Sequence, residues 1–291
     1  MSMQTICIFG EVLFDHFPDG KRVLGGAPFN VAWHLQAFGQ KPRFVSRVGI
    51  DNEGQTIIKA MQDWGMDTSC LQCDPRRPTG LVKVSFDSGE PVYDIVQQVA
   101  YDAIRSVDIE ACDLLYHGTL ALRESTSRQA LLQLRKSHSG PVFVDVNLRT
   151  PWWDRQTVLE MILDADWVKL NSDELALLSP EQSADSPREF LKHFRLQGLV
   201  LTRGAEGAEV YLKTGESYQV KPDEDTSLVD TVGAGDAFTA VMILGIVRRW
   251  PMDVTMQRAQ RFASLIVGQR GATLSDPYYY QTLISEWQIT S

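Results

Sequence analysis

The chain lacks the features that would place it in a bilayer, in a disulfide scaffold or on nucleic acid. No apolar run approaches the ~20 residues a membrane-spanning helix needs. The opening segment MSMQTICIFGEV has no basic stretch and no long apolar core, so it does not read as a secretory signal. Four cysteines (Cys7, Cys70, Cys73, Cys112) in 291 residues are too few for a disulfide framework. Cys70 and Cys73 form one C-x-x-C, but no second pair follows at matching spacing, so a structural zinc would lack half its ligands. Basic residues are in deficit: 28 Lys and Arg against 37 Asp and Glu, a net charge of −9. That balance disfavours duplex nucleic acid or an anionic membrane as partner, though it permits a local basic pocket for a phosphate. The expected location is the cytoplasm.

Several catalytic signatures are missing too. DHFPDGKR places Asp15 where a P-loop needs its first glycine and Arg22 where it needs Ser or Thr. GAGDAF places Phe238 at the last glycine of a dinucleotide fingerprint. Neither G-x-S-x-G nor H-E-x-x-H occurs. Dinucleotide redox chemistry, serine hydrolysis and zinc peptidase chemistry all lose ground.

What is present is alternation. With 44% hydrophobic residues the chain can bury a large core. TICIFG, RFVSRVG, DLLYHG, PVFVDVN, DWVKLN, GLVLTRG and GAEVYL read as strands. APFNVAWHLQAFG, NEGQTIIKAMQDWG, a stretch near Ser125 to Ser137, one near Trp153 to Leu163, SDELALL and two long closing stretches read as helices. Strands alternating with helices predict an α/β fold with a mostly parallel sheet covered on both faces. GLVKVSFDSGEPVYDIVQQ breaks the rhythm: two strands around a DSGEP turn, either an edge hairpin or part of a small lid. LFDHFPDGKRVL could supply the rest of such a lid.

DTVGAGDAF, Asp230 to Phe238, runs from a loop into an apolar helix. Amides at a helix start, with the helix dipole, favour an anion, and glycines let it come close. The carboxylate of Asp236 is unfavourable beside a resting phosphate. It makes sense as a base that takes the proton of an alcohol attacking a phosphoryl group in transit. The competing local explanation is that Asp236 caps the helix.

GEVLFD (10–15), GGAPFNVAWHLQAFG (25–39), VGIDNEG (48–54), DVNLR (145–149), NSDE (171–174), TRGAEG (202–207) and DTVGAGDAF (230–238) follow in this order. Together they resemble the ribokinase/PfkB carbohydrate kinase family, closest to its fructokinase-like members, across essentially the whole chain. The resemblance implies a ribokinase-like α/β fold: a central, mostly parallel sheet flanked by helices, with a small β-sheet lid. It implies one kinase domain over 1–291, its lid drawn from about 12–24 and 80–100. ATP, Mg²⁺, often a K⁺-type ion, and a sugar or similar alcohol are the implied ligands.

Carried over by position, Asp236 resembles the catalytic base, and Gly233, Ala234 and Gly235 the backbone anion hole. Asp15 falls on the sugar-binding aspartate, where one carboxylate can accept from two hydroxyls. Gly25, Gly26 and Asn30 match the sugar-side G-G…N segment; by spacing alone Asn30 could equally lie on the exposed side of a helix. Asn147 and Arg149 match substrate-side positions of fructokinase-like and ketodeoxygluconate-kinase-like members. Arg149 could instead pair with Asp145 or Asp154. Asn171 and Glu174 match the N-x-x-E element that organises Mg²⁺ through water, and they also spell a capping box. Thr202, Gly204 and Gly207 match the nucleotide-side T-x-G-x-x-G, or simply turn a hairpin. Gln260 stands where the family commonly has an adenine-side asparagine, and Gly268 replaces a usual threonine. Asp230 is the candidate for the monovalent cation. Tyr101 could reach the sugar from the lid, and Trp152 and Trp153 either wall the sugar or staple the next helix.

The expected activity is ATP-dependent phosphorylation of a sugar hydroxyl, with the sugar between lid and sheet. D-fructose is the first acceptor, 2-keto-3-deoxygluconate the second, and ribose or a nucleoside the third. A non-catalytic sugar sensor is a competing class, which has no need of Asp236. Exposed lid strands invite pairing, pointing to a homodimer through the lid.

Overall fold

The structure, a computed structural model, describes residues 5–87, 90–109, 112–180, 186–222, 232–269 and 271–289. In chain order the elements are β1 (Ile6–Phe9), β2 (Leu13–His16), β3 (Arg22–Gly25), α1 (Ala27–Ala37), β4 (Arg43–Gly49), α2 (Asn52–Asp63), β5 (Leu71–Asp74), β6 (Gly80–Asp87), β7 (Glu90–Ile95) and β8 (Leu114–His117). There follow α3 (Ser125–Ser137), β9 (Val142–Asp145), α4 (Arg155–Leu163), β10 (Trp167–Asn171), α5 (Ser172–Leu178), α6 (Pro187–His193), β11 (Gly198–Thr202), β12 (Ala208–Leu212) and β13 (Ser217–Val220). The last three are α7 (Ala234–Arg248), α8 (Met252–Val267) and α9 (Pro277–Glu286).

The chain divides into two compact units. The first holds 1–112, 121–138 and 273–291, the second 113–120 and 139–272. In the first, β4 pairs in parallel with both β1 and β5. A separate four-stranded sheet runs β3-β2-β6-β7. It is mixed: β2–β3 and β6–β7 are antiparallel, while β2–β6 is parallel. The DSGEP hairpin is thus the β6–β7 half of this sheet, and LFDHFPDGKRVL supplies β2 and β3.

Helix α1 is buried from Pro28 to Leu35. Its two polar ring groups are satisfied internally, as burial requires. Trp33 Nε1 donates to Leu274 O at 2.9 Å, and His34 Nδ1 lies 2.8 Å from the Tyr280 hydroxyl. Helix α2 is amphipathic by contrast, burying Gly54, Ile57 and Met61, and starts where the Asp51 carboxylate accepts the Gly54 amide at 2.8 Å.

In the second unit the sheet runs β13-β12-β11-β10-β9-β8. Strands β8 to β11 are parallel, and β12 and β13 fold back antiparallel. All four residues of β9 are buried, as in a sheet covered on both faces. Helix α7 is buried almost all round from Ala237 to Val247, which makes it a core helix. At ~1.5–3 kcal/mol for each large apolar side chain removed from water, Phe238, Met242, Ile243 and Leu244 dominate its anchoring.

Four elements depart from the sequence expectation. LQCD forms edge strand β5, placing Cys73 on a strand, and SYQV forms β13. PREFLKH forms α6, and a third helix, α9, closes the chain. The helix expected from Trp153 starts at Arg155, because Asp154 caps it by accepting the Thr157 amide at 2.8 Å. Among the described residues no helix is long and apolar enough to cross a membrane.

Candidate active site

In the second unit the candidate residues collect at the carboxyl ends of parallel strands, where α/β sheets hold ligands. Register places Asn171, the last residue of β10, opposite Thr202, the last of β11. It places Lys169 opposite Asp145, the last of β9. The N-x-x-E and T-x-G-x-x-G motifs, far apart in sequence, therefore share one sheet edge.

Asn171 and Glu174 form the capping box. Asn171 Oδ1 accepts the Glu174 amide at 2.8 Å, and Glu174 Oε2 accepts the Asn171 amide at 2.8 Å. Glu174 does more: its Oε1 accepts the Leu148 amide at 2.7 Å, joining α5 to the DVNLR loop. Burial pushes the Glu174 carboxyl above its ordinary range, against the pull of these two amides. In the same loop Asn147 takes a left-handed backbone, φ 40°.

Arg149 is exposed and makes no ion pair among the described residues. Both proposed partners are engaged elsewhere. Asp145 is held by Lys169, and Asp154 caps α4. The ion-pair alternative for Arg149 is thereby excluded.

At the start of α7 the N-cap is Gly233, φ 84°, with Asp236 the third helical residue and in the first turn. Asp236 is not the cap, so that local explanation fails. Its position is one where the helix dipole favours a carboxylate. A Cβ on Gly233 would lie 2.4 Å from Ala272 Cα, so only glycine fits this turn. Gly235 is exposed, leaving amides of the first turn open to an anion.

Thr202 Oγ1 donates to Leu170 O at 3.4 Å. Gly204 and Gly207, φ 56° and 95°, turn β11 into antiparallel β12, so the hairpin reading of this motif is what the backbone adopts. Gln260 lies on α8 and bonds Ser264 Oγ at 3.2 Å. Asp230 lies outside the described residues. Trp152 and Trp153 are half-buried just before α4, with Trp153 Nε1 3.5 Å from Thr150 Oγ1.

In the first unit Asp15 sits on β2, opposite Val23 and Val82. Its Oδ2 lies 3.8 Å from where a Cβ on Gly25 would stand. Gly26 is the N-cap of α1 at φ 108°, and a Cβ there would meet Glu11 O at 2.8 Å. Asn30 follows in the first turn and is 4% exposed, so the surface reading of this residue does not hold. Asp15, Gly25, Gly26 and Asn30 thus form one cluster. Tyr101 lies in a single 3-10 turn (Ala100–Ala103), its ring packed against Gly80 at the start of β6, where a Cβ would stand 2.6 Å from it, and it is fully buried beneath the Arg123 guanidinium at 5.2 Å. Burial pushes its phenol far above the ordinary range.

Sequence reasoning passed over Lys169 and Thr239. Lys169 is a lone cation inside the apolar run WVKL, a pattern that marks a buried charge in need of a partner. It finds Asp145 at 2.7 and 2.9 Å.

Known proteins resemble this chain over nearly its whole length. The profile of the pfkB family carbohydrate kinases matches residues 4–278. A fructokinase of Klebsiella pneumoniae is 29% identical over 297 residues, covering 94% of this chain and 96% of that protein. A 5-dehydro-2-deoxygluconokinase of Geobacillus thermodenitrificans is 25% identical over 281 residues, 88% of this chain and 82% of that protein. The crystal structure of a double-mutant fructokinase from Vibrio cholerae, bound to fructose, ADP and potassium, superposes with a TM-score of 0.81 at 25% identity, covering 96% and 98%. The chain therefore has the ribokinase-like fold and belongs to the PfkB family of carbohydrate kinases, phosphotransferases that act on a sugar hydroxyl.

Proposed function

We propose that this kinase transfers the γ-phosphoryl group of ATP to D-fructose, with Asp236 as the base. The observation that carries the mechanism is the place of Asp236: a carboxylate in the first turn of α7, beside a glycine-shaped start with open amides. As the sugar oxygen attacks the γ-phosphorus, Asp236 takes its proton. The bond between the γ-phosphorus and the bridging oxygen breaks, and ADP leaves with the electron pair. The amides of Gly233, Ala234 and Gly235 oppose the charge gathering on the transferred group. A positioned base of this kind contributes on the order of 10²–10⁴ in rate.

Asp15 and Asn30 would bind sugar hydroxyls, and Arg149 would meet the acceptor's most electronegative end. Thr202, Gly204, Gly207 and Gln260 serve the nucleotide in this reading. We assign Mg²⁺ to Asn171 and Glu174 through water; the Asn171 oxygen and both Glu174 oxygens each accept a backbone amide, which fixes their orientation. Such an ion supplies charge neutralisation for the phosphates. We assign the β3-β2-β6-β7 sheet as the lid, whose closure excludes water. The exposure of Phe86, Val92 and Tyr93 on its strands supports a homodimer through this sheet.

One observation favours a second acceptor class. The Arg149 guanidinium makes no ion pair among the described residues and matches a carboxylate in fork geometry. A 2-keto-3-deoxy sugar acid would use it fully. A coupled assay of ADP release with purified protein against fructose, 2-keto-3-deoxygluconate, ribose and a nucleoside decides the matter. Saturable turnover with fructose and a loss of at least about 10² in Asp236→Asn is the expected result. Turnover with the acid alone replaces the substrate, and near-normal turnover in Asp236→Asn removes the base.

A further inference from the structure

Lys169 and Asp145 form a buried ion pair, the two side chains 9% and 2% exposed. Burying two charges is expensive, and apolar residues of like volume often serve stability as well. Stability alone therefore does not account for the pair, and what it touches becomes informative. Thr239, fully buried one turn beyond Asp236, donates to Asp145 Oδ2 at 3.0 Å and lies 2.8 Å from Gly235 O. The Lys169 ammonium sits 3.5 Å from where a Cβ on Gly235 would stand. Lys169 closes on both oxygens of Asp145, at 2.9 and 2.7 Å.

We propose that Lys169, Asp145 and Thr239 form a buried clamp that positions the Gly233–Gly235 backbone for the transferred phosphoryl group. Strands β9 and β10 supply the rigid half, since Asp145 and Lys169 are register partners in the parallel sheet. The Thr239 hydroxyl carries that rigidity into the first turn of α7: it donates its one proton to Asp145, while its oxygen lies 2.8 Å from the Gly235 carbonyl oxygen. The Gly235 carbonyl belongs to the same peptide as the Asp236 amide, so the clamp acts on the peptide that joins the anion hole to the base. The ammonium against Gly235 also holds positive charge beneath the loop. None of the three need touch substrate, so they are positioning residues. The inference rests on the assignment of Gly233–Gly235 as the anion hole.

The test uses Thr239→Val, a near-isosteric change that removes only the hydroxyl, with Thr239→Ser as the conservative rescue. In steady-state kinetics Thr239→Val should lose about 10- to 100-fold in kcat, the scale of a misplacement of about 1 Å, with sugar KM within about twofold. Thr239→Ser should restore most of it. A merely structural hydroxyl would lower the melting temperature and leave kcat per folded molecule unchanged, and that outcome overturns the clamp. Titration calorimetry with Mg-ADP and tetrafluoroaluminate, a mimic of the group in flight, needs no identified sugar. Thr239→Val should bind it about tenfold more weakly while binding Mg-ADP alone as the parent does. A parent that binds the mimic but phosphorylates no sugar refutes the proposed substrate and leaves the clamp standing. A parent with sugar turnover, alongside a Thr239→Val variant equal to it in kcat and in mimic affinity, refutes the clamp and leaves the proposed function standing.

Discussion

Glu174 and Leu148 are tied by a 2.7 Å hydrogen bond from the Leu148 amide to Oε1, while Oε2 of the same carboxylate takes the Asn171 amide. One side chain thus orders two segments. It closes the capping box of α5, and it fixes the loop that carries Asn147 and Arg149.

A glutamine at position 174 has a single acceptor oxygen, so one of those amides must go without. A buried amide left unsatisfied costs about 1–3 kcal/mol. Glu174→Gln should therefore lower unfolding free energy by about that much. Sugar KM and Mg-ATP KM should both rise, since the loop and α5 share the carboxylate. Urea unfolding with steady-state kinetics checks this, and a variant that unfolds like the parent would show that the shared carboxylate is dispensable.

Gly233→Ala meets two obstacles at once. The left-handed φ of 84° costs an alanine about 1–2 kcal/mol, and its methyl would stand 2.4 Å from Ala272 Cα. The loop must shift, so turnover should fall further than stability does. Differential scanning fluorimetry and ADP release from one preparation compare the two losses. Unchanged turnover would mean that the geometry of this turn does not matter to the reaction.

Arg149 is exposed and makes no ion pair among the described residues, so Arg149→Ala should leave stability within about 0.5 kcal/mol. Acceptor KM should rise while Mg-ATP KM stays put. If the acceptor carries a carboxylate, Arg149→Lys will rescue poorly, because an ammonium cannot reproduce the planar fork. Equal KM values for the sugar across Arg, Lys and Ala would separate this residue from the acceptor.

The carboxylates divide in their pH behaviour. Burial works to raise Asp51 and Asp74, but hydrogen bonds outweigh it: from Thr79 and Gly54 to Asp51, and from the Arg76 and Arg77 amides to Asp74, with Arg47 adding charge. Both end below the ordinary value of 3.8. A depressed folded value stabilises above the unfolded one and is lost as pH falls through the folded one. Thermal stability should thus drop steeply once pH falls under 3.8, and Asp51→Asn should flatten that slope. Glu174 has the opposite sign: its value is raised above 4.5, so its contribution is full below 4.5 and lost as pH climbs through the folded value. Melts from about pH 3 to 8 read both, and an Asp51→Asn slope equal to the parent's would remove Asp51 from the acid transition.

Much of the secondary structure was legible in the residues because it follows local rules. Ser125–Ser137 and the strands ending in Gly49, His117 and Asn171 carry their own periodicity and stop signals. LQCD and SYQV were not legible. Four residues of mixed polarity become strands β5 and β13 only because a neighbour offers a free edge. The site divides in the same way. Asp236, Asn171 and Glu174 sit in motifs with a local mechanism, so the residues alone single them out as candidates. Lys169 and Thr239 lie in ordinary apolar runs, and nothing within three residues of either announces Asp145.

By itself the sequence determined which chemistry the chain can perform. An acidic group follows a glycine-rich turn into an apolar helix, with no dinucleotide, P-loop or zinc signature to compete. Only the tertiary structure decided which partner each charge takes. It gave Asp145 to Lys169 and left Arg149 without an ion pair among the described residues, made Gly233 rather than Asp236 the cap, and drew Glu174 across to Leu148. The reason is physical. Residue type and local spacing set what a side chain can donate or accept, but buried pairing is chosen by parallel strand register, which joins residues such as Asp145 and Lys169 that no local pattern connects.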